Sequence, residues 1–276
     1  MRIARALCIL TLIGAAPAAA ELVGPEVLDR LPPADVVILG EVHDNPLHHR
    51  NQARAVAALQ PRALVFEMLT PAQAAAMPAD RTDAAALRAA LGWDAAGWPD
   101  FALYHPIFTA APEAAVFGGN VPRDDLRRAL VEGAGAVFGA DAARYGLDIA
   151  LLPADQAARE ADQSQAHCNA LPPEMLPGMV AGQRLRDAAL ARAVVQAMAA
   201  TGGAMGGPVV VITGTGHARR DQGIPVPLAL AAPGLRVLSL GQLEDDPGSD
   251  APFDLWIVTP PAEREDPCAT FAPKKS

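Results

Sequence analysis

The sequence predicts an α/β fold, a largely parallel sheet with helices on both faces plus a helical insertion or cap. Two observations carry this. Short runs rich in β-branched residues alternate with longer segments whose apolar residues recur at helical spacing, the rhythm of repeated strand–helix units. The runs are also nearly continuous in apolar character, as strands buried on both faces should be, rather than alternating apolar and polar.

The first strand is expected at Val36–Leu39, and Asn45 and Pro46 then supply a cap and a favourable first position for a helix over Pro46–Leu59. Ala63–Phe66 reads as the second strand, a helix follows at Asp83–Leu91, and Ala115–Phe117 reads as the third strand. After a helix at Arg123–Val131, the stretch from Glu132 to Ala170 has no clean period and is read as the insertion or cap. The long Ala/Leu-rich pattern Pro173–Ala200 predicts a helix, stopped by the glycines between Gly202 and Gly207. That loop precedes the strand Val209–Ile212 and no lysine follows it, so it is no phosphate cradle. The runs Arg236–Leu240 and Leu255–Val258 complete the strands.

The chain opens with two arginines, an apolar run and Ala18-Ala19-Ala20 before Glu21, the order of a cleaved secretory signal over residues 1–20. Cys8 lacks the small-residue context of a lipid-attachment site. Cleavage would leave one α/β domain over residues 21–276, located in the periplasm, with no further run near the ~20 apolar residues of a spanning helix. The formal net charge is −9, with no basic stripe, which argues against nucleic acid as a partner. Export leaves two cysteines, Cys168 and Cys268, in an oxidising compartment, and a disulfide between them is expected.

Parallel sheets bind ligands beyond the carboxyl ends of their strands. The first strand ends in Gly40-Glu41-Val42-His43, the second in Glu67, the third in Gly118-Gly119-Asn120-Val121-Pro122-Arg123 and the next in Gly214-Thr215-Gly216-His217. Two Gly-x-x-His turns therefore face one pocket, with Gly40, Gly214 and Gly216 expected at backbone torsions that β-carbons disfavour. His43, His217, Glu41 and Glu67 suit either a divalent ion such as zinc or manganese or a larger cofactor. Of His48 and His49, at most one is expected to enter the pocket, the other facing solvent. Trp93, Trp98, Phe101, Tyr104, His105 and Phe108 form either a core-packing helix or a mobile lid that carries Tyr104 over the pocket. Gln183, Arg186 and Asp187 on the long helix form either a solvated face or a polar stripe that looks into the site.

Taken together, Gly40-Glu41-Val42-His43-Asp44-Asn45-Pro46-Leu47-His48-His49, Phe66-Glu67-Met68, Asn120-Val121-Pro122-Arg123 and Gly214-Thr215-Gly216-His217-Ala218-Arg219 resemble the ChaN family of haem-binding uptake proteins. That family sits in a wider group with Tiki-like, TraB-like and erythromycin-esterase-like proteins, and the likeness runs from Asp35 to Leu240. The resemblance implies a bacterial envelope protein that binds haem, with His43, Asn120, Arg123 and His217 around the cofactor and a homodimer enclosing cofacial haems. It also implies a tyrosine ligand to iron, carried here to Tyr104 by its Tyr-His-Pro-Ile context, with Tyr145 in reserve. Family members are often lipoproteins, and this chain departs from them in lacking the acylated cysteine. The wider group implies a rival, a divalent-metal-dependent protease or esterase in which His43, Glu67 and His217 hold the metal and Glu41 or Glu67 activates water.

Overall fold

In the computed structural model, residues 20–269 are described, apart from the side chains of residues 204 and 205, and their strands form one seven-stranded sheet with every pairing parallel. The expected signal segment lies outside the described residues but for its last position. The strands are β1 (Glu21–Leu22), β2 (Val36–Glu41), β3 (Ala63–Phe66), β4 (Ala115–Gly118), β5 (Val209–Gly214), β6 (Val237–Leu243) and β7 (Leu255–Val258), in the spatial order β1-β7-β6-β2-β5-β3-β4. All six expected strands are present, and the sheet gains a two-residue edge strand, β1, too short to leave a sequence signature.

The helices are α1 (Pro46–Leu59), α2 (Pro71–Ala75), α3 (Ala84–Ala90), α4 (Trp93–Ala96), α5 (Phe101–Ala110), α6 (Arg123–Glu132), α7 (Ala134–Phe138), α8 (Pro153–Ala166), α9 (Leu176–Ala200), α10 (Thr215–Ala218) and α11 (Pro225–Ala231). Asn45 caps α1 by accepting the Leu47 N–H at 2.9 Å, with Pro46 at the first helical position where no donor is missed. The expected long helix opens with a 3₁₀ turn over Pro173–Met175 and continues as α9.

Two cores sandwich the sheet. On one face α1 and α5 pack together over Val37, Leu39, Leu64 and Phe66. On the other α9 lies across Val36, Ile38, Val65 and Val211, with α6, α8 and α11 against it. Because both faces are covered, the buried strands carry apolar residues at consecutive positions. The stretch from Glu132 to Ala170 folds as α7, a 3₁₀ turn over Ala142–Tyr145 and α8, a helical cap on the α9 side.

Strand order places the site. From β2 the chain moves two places across to β3 and on to the edge at β4, then returns through α9 to insert β5 between β3 and β2 before crossing to β6. The reversal occurs at β2 and β5, and ligands of open parallel sheets bind at such switch points.

Candidate functional site

Across the switch point Gly40 lies opposite Thr213 and Glu41 opposite Gly214, so the two Gly-x-x-His turns leave the sheet side by side. Glu67, the first residue beyond β3, stands next to both. Its Oε2 accepts the Thr213 hydroxyl at 2.8 Å and the Gly214 N–H at 2.7 Å, while Oε1 lies 3.4 Å from His217 Nε2 and 3.9 Å from His43 Nε2. Residues from three strand ends thus converge on one buried carboxylate.

The expectation about the site glycines needs correction. Gly40, Gly214 and Gly216 are not among the residues with positive φ; at Gly40 and Gly214 the requirement is space. A Cβ on Gly214 would lie 2.9 Å from His43 Nε2, and one on Gly40 would lie 3.0 Å from the Thr215 Cα. At Gly216 a Cβ would meet nothing, and this residue simply lines the cleft.

Each histidine is set by a carboxylate. His217 Nδ1 donates to Asp187 Oδ1 at 2.6 Å, and the Gln183 amide abuts the same ring at 3.1 Å. The polar stripe on α9 therefore faces the site, with Gln183 and Asp187 against His217 and Arg186 in the lining of the same cleft. Burial opposes a charge on His217, but the fields of Glu67 and Asp187 outweigh it and push its pKa up to about 10. Burial would raise the Glu67 carboxyl, but His217, with His43 and the Gly214 N–H, holds it far below the usual carboxylate range. On the other wall His43 Nδ1 lies 2.8 Å from Glu41 Oε1. Burial lowers the His43 pKa, yet the Glu41 hydrogen bond and the charges of Glu67 and Glu41 raise it overall.

Beneath His43 lies a second layer that the sequence did not order correctly. Tyr104, fully buried in α5, donates its hydroxyl to Glu41 Oε1 at 2.8 Å, and its ring packs against His49 and Trp93. The aromatic segment is core rather than a lid over the pocket, because Phe101, Tyr104, Ile107 and Phe108 all point into the apolar layer under the sheet. Burial and the neighbouring Glu41 charge push the Tyr104 phenol far above its ordinary pKa, so it stays a neutral donor. Tyr145 packs on Phe138, away from the turns.

His48 and His49 are both buried, so the expectation that one faces solvent is also corrected. His48 Nδ1 accepts the Val42 N–H at 2.8 Å, leaving Nε2 to donate to Thr259 Oγ1, and burial lowers its pKa to about 4. His49 Nε2 donates to the His43 carbonyl at 2.8 Å, and its Nδ1 approaches Glu41 Oε2 at 3.2 Å without hydrogen-bond alignment. These two rings hold the first turn in shape.

Above the turns opens a cleft of about 730 Å³. Glu41, His43, Glu67 and His217 line its floor, Leu126 and Leu130 from α6 and Met179 from α9 give it apolar flanks, and His167 at the end of α8 closes another side. Arg127 and Arg186 stand in its lining, and Arg186 pairs with no carboxylate among the described residues. Asn120 and Arg123 do not reach this cleft; they line an adjoining depression of about 510 Å³ that shares Glu67, Leu126 and Arg186 with it. The apolar flanks and His167 escaped sequence reasoning, since nothing local marks which turn of a cap meets which strand end.

The alternative donor set for a divalent ion does not close. Among the described residues no group of three or more His, Cys, Asp or Glu side chains is arranged to hold a metal. The expected disulfide is present, Cys168 to Cys268 with a Cα separation of 5.5 Å. Among the described residues no helix is long and apolar enough to cross a membrane.

Comparison with known proteins adds to this geometry. The family model described as haem-binding uptake, Tiki superfamily, ChaN matches residues 27–228. No curated protein matches. Among solved structures, the one titled as cofacial heme binding to ChaN of Campylobacter jejuni aligns with a TM-score of 0.62 at 18% identity, covering 83% of this chain and 87% of that one, and so shares the fold. The type III effector HopBA1 aligns over 82% of this chain and 88% of its own at 12% identity, and its TM-score of 0.43 carries no argument.

Proposed function

Because the chain belongs to the ChaN family of haem-binding uptake proteins in the Tiki superfamily, we propose that it binds haem in the cleft above its two Gly-x-x-His turns and serves haem or iron uptake. The observation that carries this reading is the composition of that one cleft. Haem is a flat apolar disc with an anionic edge, and its iron takes nitrogen, sulfur or phenolate ligands. The cleft offers apolar flanks in Leu126, Leu130 and Met179, guanidinium groups in Arg127 and Arg186, and imidazoles along its floor and side. Its volume of about 730 Å³ falls in the usual range for cofactor sites.

Within the site the parts divide by charge. Arg186, and Arg123 in the adjoining depression, meet the carboxylates of the cofactor, while Asn120 flanks the same depression. His43, backed by Glu41, presents an imidazole edge that is about one-third exposed, and His217 stays clamped between Glu67 and Asp187. Bound haem would supply redox-active iron; the protein residues orient it and limit access of water. Tyr104 serves here as the donor that fixes Glu41, and no iron ligation is assigned to it, since its hydroxyl lies under the floor.

The reading extends to a second copy of the chain. Leu130 lines the cleft and is 36% exposed, and Val131 beside it is 88% exposed, an apolar rim suited to covering the outer face of a haem with its counterpart from a partner. A periplasmic location accords with the Cys168 to Cys268 disulfide, a bond that persists in oxidising compartments. Titration of the purified protein with haemin tests the central reading. A saturable shift of the Soret band at micromolar haem is expected, with dimer formation on sizing columns in step with loading. Absence of any shift at that concentration removes the haem reading.

A further inference from the structure

We propose that His167 would hold the iron of a haem bound in the cleft, an inference that rests on the haem reading above and names the group that ligates the metal. His167 ends α8, in the helical cap, and lines the cleft opposite the strand-end turns. Its Nδ1 lies 2.8 Å from the carbonyl oxygen of Gln163, one helical turn back. A carbonyl only accepts, so Nδ1 carries the hydrogen of the neutral ring and the lone pair resides on Nε2. That is the tautomer required of a ligating imidazole, and a carbonyl on the remote nitrogen is the kind of partner that fixes ligating histidines.

The other imidazoles of the region are engaged differently. His217 directs one nitrogen to Asp187 and the other to Glu67. His43 directs Nδ1 to Glu41 and has Nε2 within 3.9 Å of the Glu67 carboxylate, so that both of its nitrogens face acidic side chains. His48 and His49 are buried in α1, and His105 bonds the Arg81 carbonyl. Among the described residues, His167 is the cleft imidazole whose Nε2 makes no hydrogen bond or ion pair.

Its backbone is anchored as well. Cys168 and Asn169 follow in the left-handed region, at φ 60° and 55°, and Cys168 is tied to Cys268. The turn that carries the imidazole is thereby attached to the C-terminal segment, which limits how far the ring can drift from the cleft.

Haemin titration of the full-length wild type, His167→Ala and His167→Gln, read by absorbance and by electron paramagnetic resonance of the ferric complex, tests the assignment. The wild type is expected to give a nitrogen-ligated ferric spectrum. Both variants should lose that signature and bind haem about tenfold more weakly or worse, and millimolar free imidazole should restore the wild-type spectrum in His167→Ala. A merely structural role for His167 would not be rescued in this way. Wild-type spectra in both variants, or altered spectra that imidazole leaves unchanged, overturn the assignment while leaving haem binding intact. A wild type that shows no Soret shift removes the haem reading itself.

Discussion

Asp187 Oδ1 lies 2.6 Å from His217 Nδ1, and both side chains are buried at the base of the cleft. Glu67 stands 3.4 Å from the other nitrogen of the same ring, so one imidazolium bridges two carboxylates that come from α9 and from the end of β3. The charge of Glu67 is further met by the Thr213 hydroxyl and the Gly214 N–H, which ties this cluster to β5. The floor of the cleft is in this way an electrostatic joint between a helix and two strands.

Replacing Asp187 with Asn should therefore destabilise the fold by about 1.5 to 3 kcal/mol, the range for a hydrogen bond to a charged group, because the His217 imidazolium loses one of its two carboxylates while Glu67 stays. Urea denaturation followed by circular dichroism reads this as a lower midpoint with unchanged slope. A variant as stable as the wild type would show that the pair is not coupled to folding.

Stability should fall on both sides of about pH 6.5. His217 has its pKa raised from 6.5 to about 10, so its contribution is fully present below 6.5 and is lost as pH rises through about 10; His43, also raised, acts in the same direction. On the acid side Glu67, depressed from 4.5, loses its contribution as pH falls through its lowered folded value, a loss that Asp187 offsets in part because burial raises its carboxyl against the field of His217. His48, held neutral by burial with a pKa near 4, adds to the acid loss between 6.5 and about 4. Melting temperatures measured across this range in wild type and His217→Gln provide the check, with a flattened alkaline limb expected in the variant.

Tyr104→Phe removes the hydroxyl donated to Glu41 at 2.8 Å. A loss of about 1.5 to 3 kcal/mol is expected, the range for a hydrogen bond to a charged partner, together with an unaltered ferric haem spectrum. Loss of a phenolate charge-transfer band in this variant would instead return the tyrosine to the iron.

Arg186→Ala should weaken haem about tenfold, the equivalent of about 1.4 kcal/mol, by removing a cleft guanidinium that has no carboxylate partner among the described residues. The wild-type affinity should fall with added salt and the variant should respond less. Equal salt slopes in the two proteins would mean that Arg186 does not meet the cofactor's carboxylates.

The sequence by itself determined the layered α/β class, six of the seven strands, and helix α1 with its Asn45 cap and Pro46 start. It also marked Glu41, His43, Glu67 and His217 as strand-end residues, and paired Cys168 with Cys268. Those features are local: apolar period, capping chemistry and the scarcity of cysteines are carried within short windows of chain. What only the tertiary structure decided was which strand ends meet. Insertion of β5 between β2 and β3 brings His217, His43 and Glu67 together, and no periodicity in any segment encodes that order. The same limit explains Tyr104 and His48, polar side chains whose sequence surroundings suit exposure as well as burial. Their burial follows from partners far away in the chain, Glu41 for Tyr104 and Thr259 for His48, since a polar group enters a core only where a distant residue completes its hydrogen bonds.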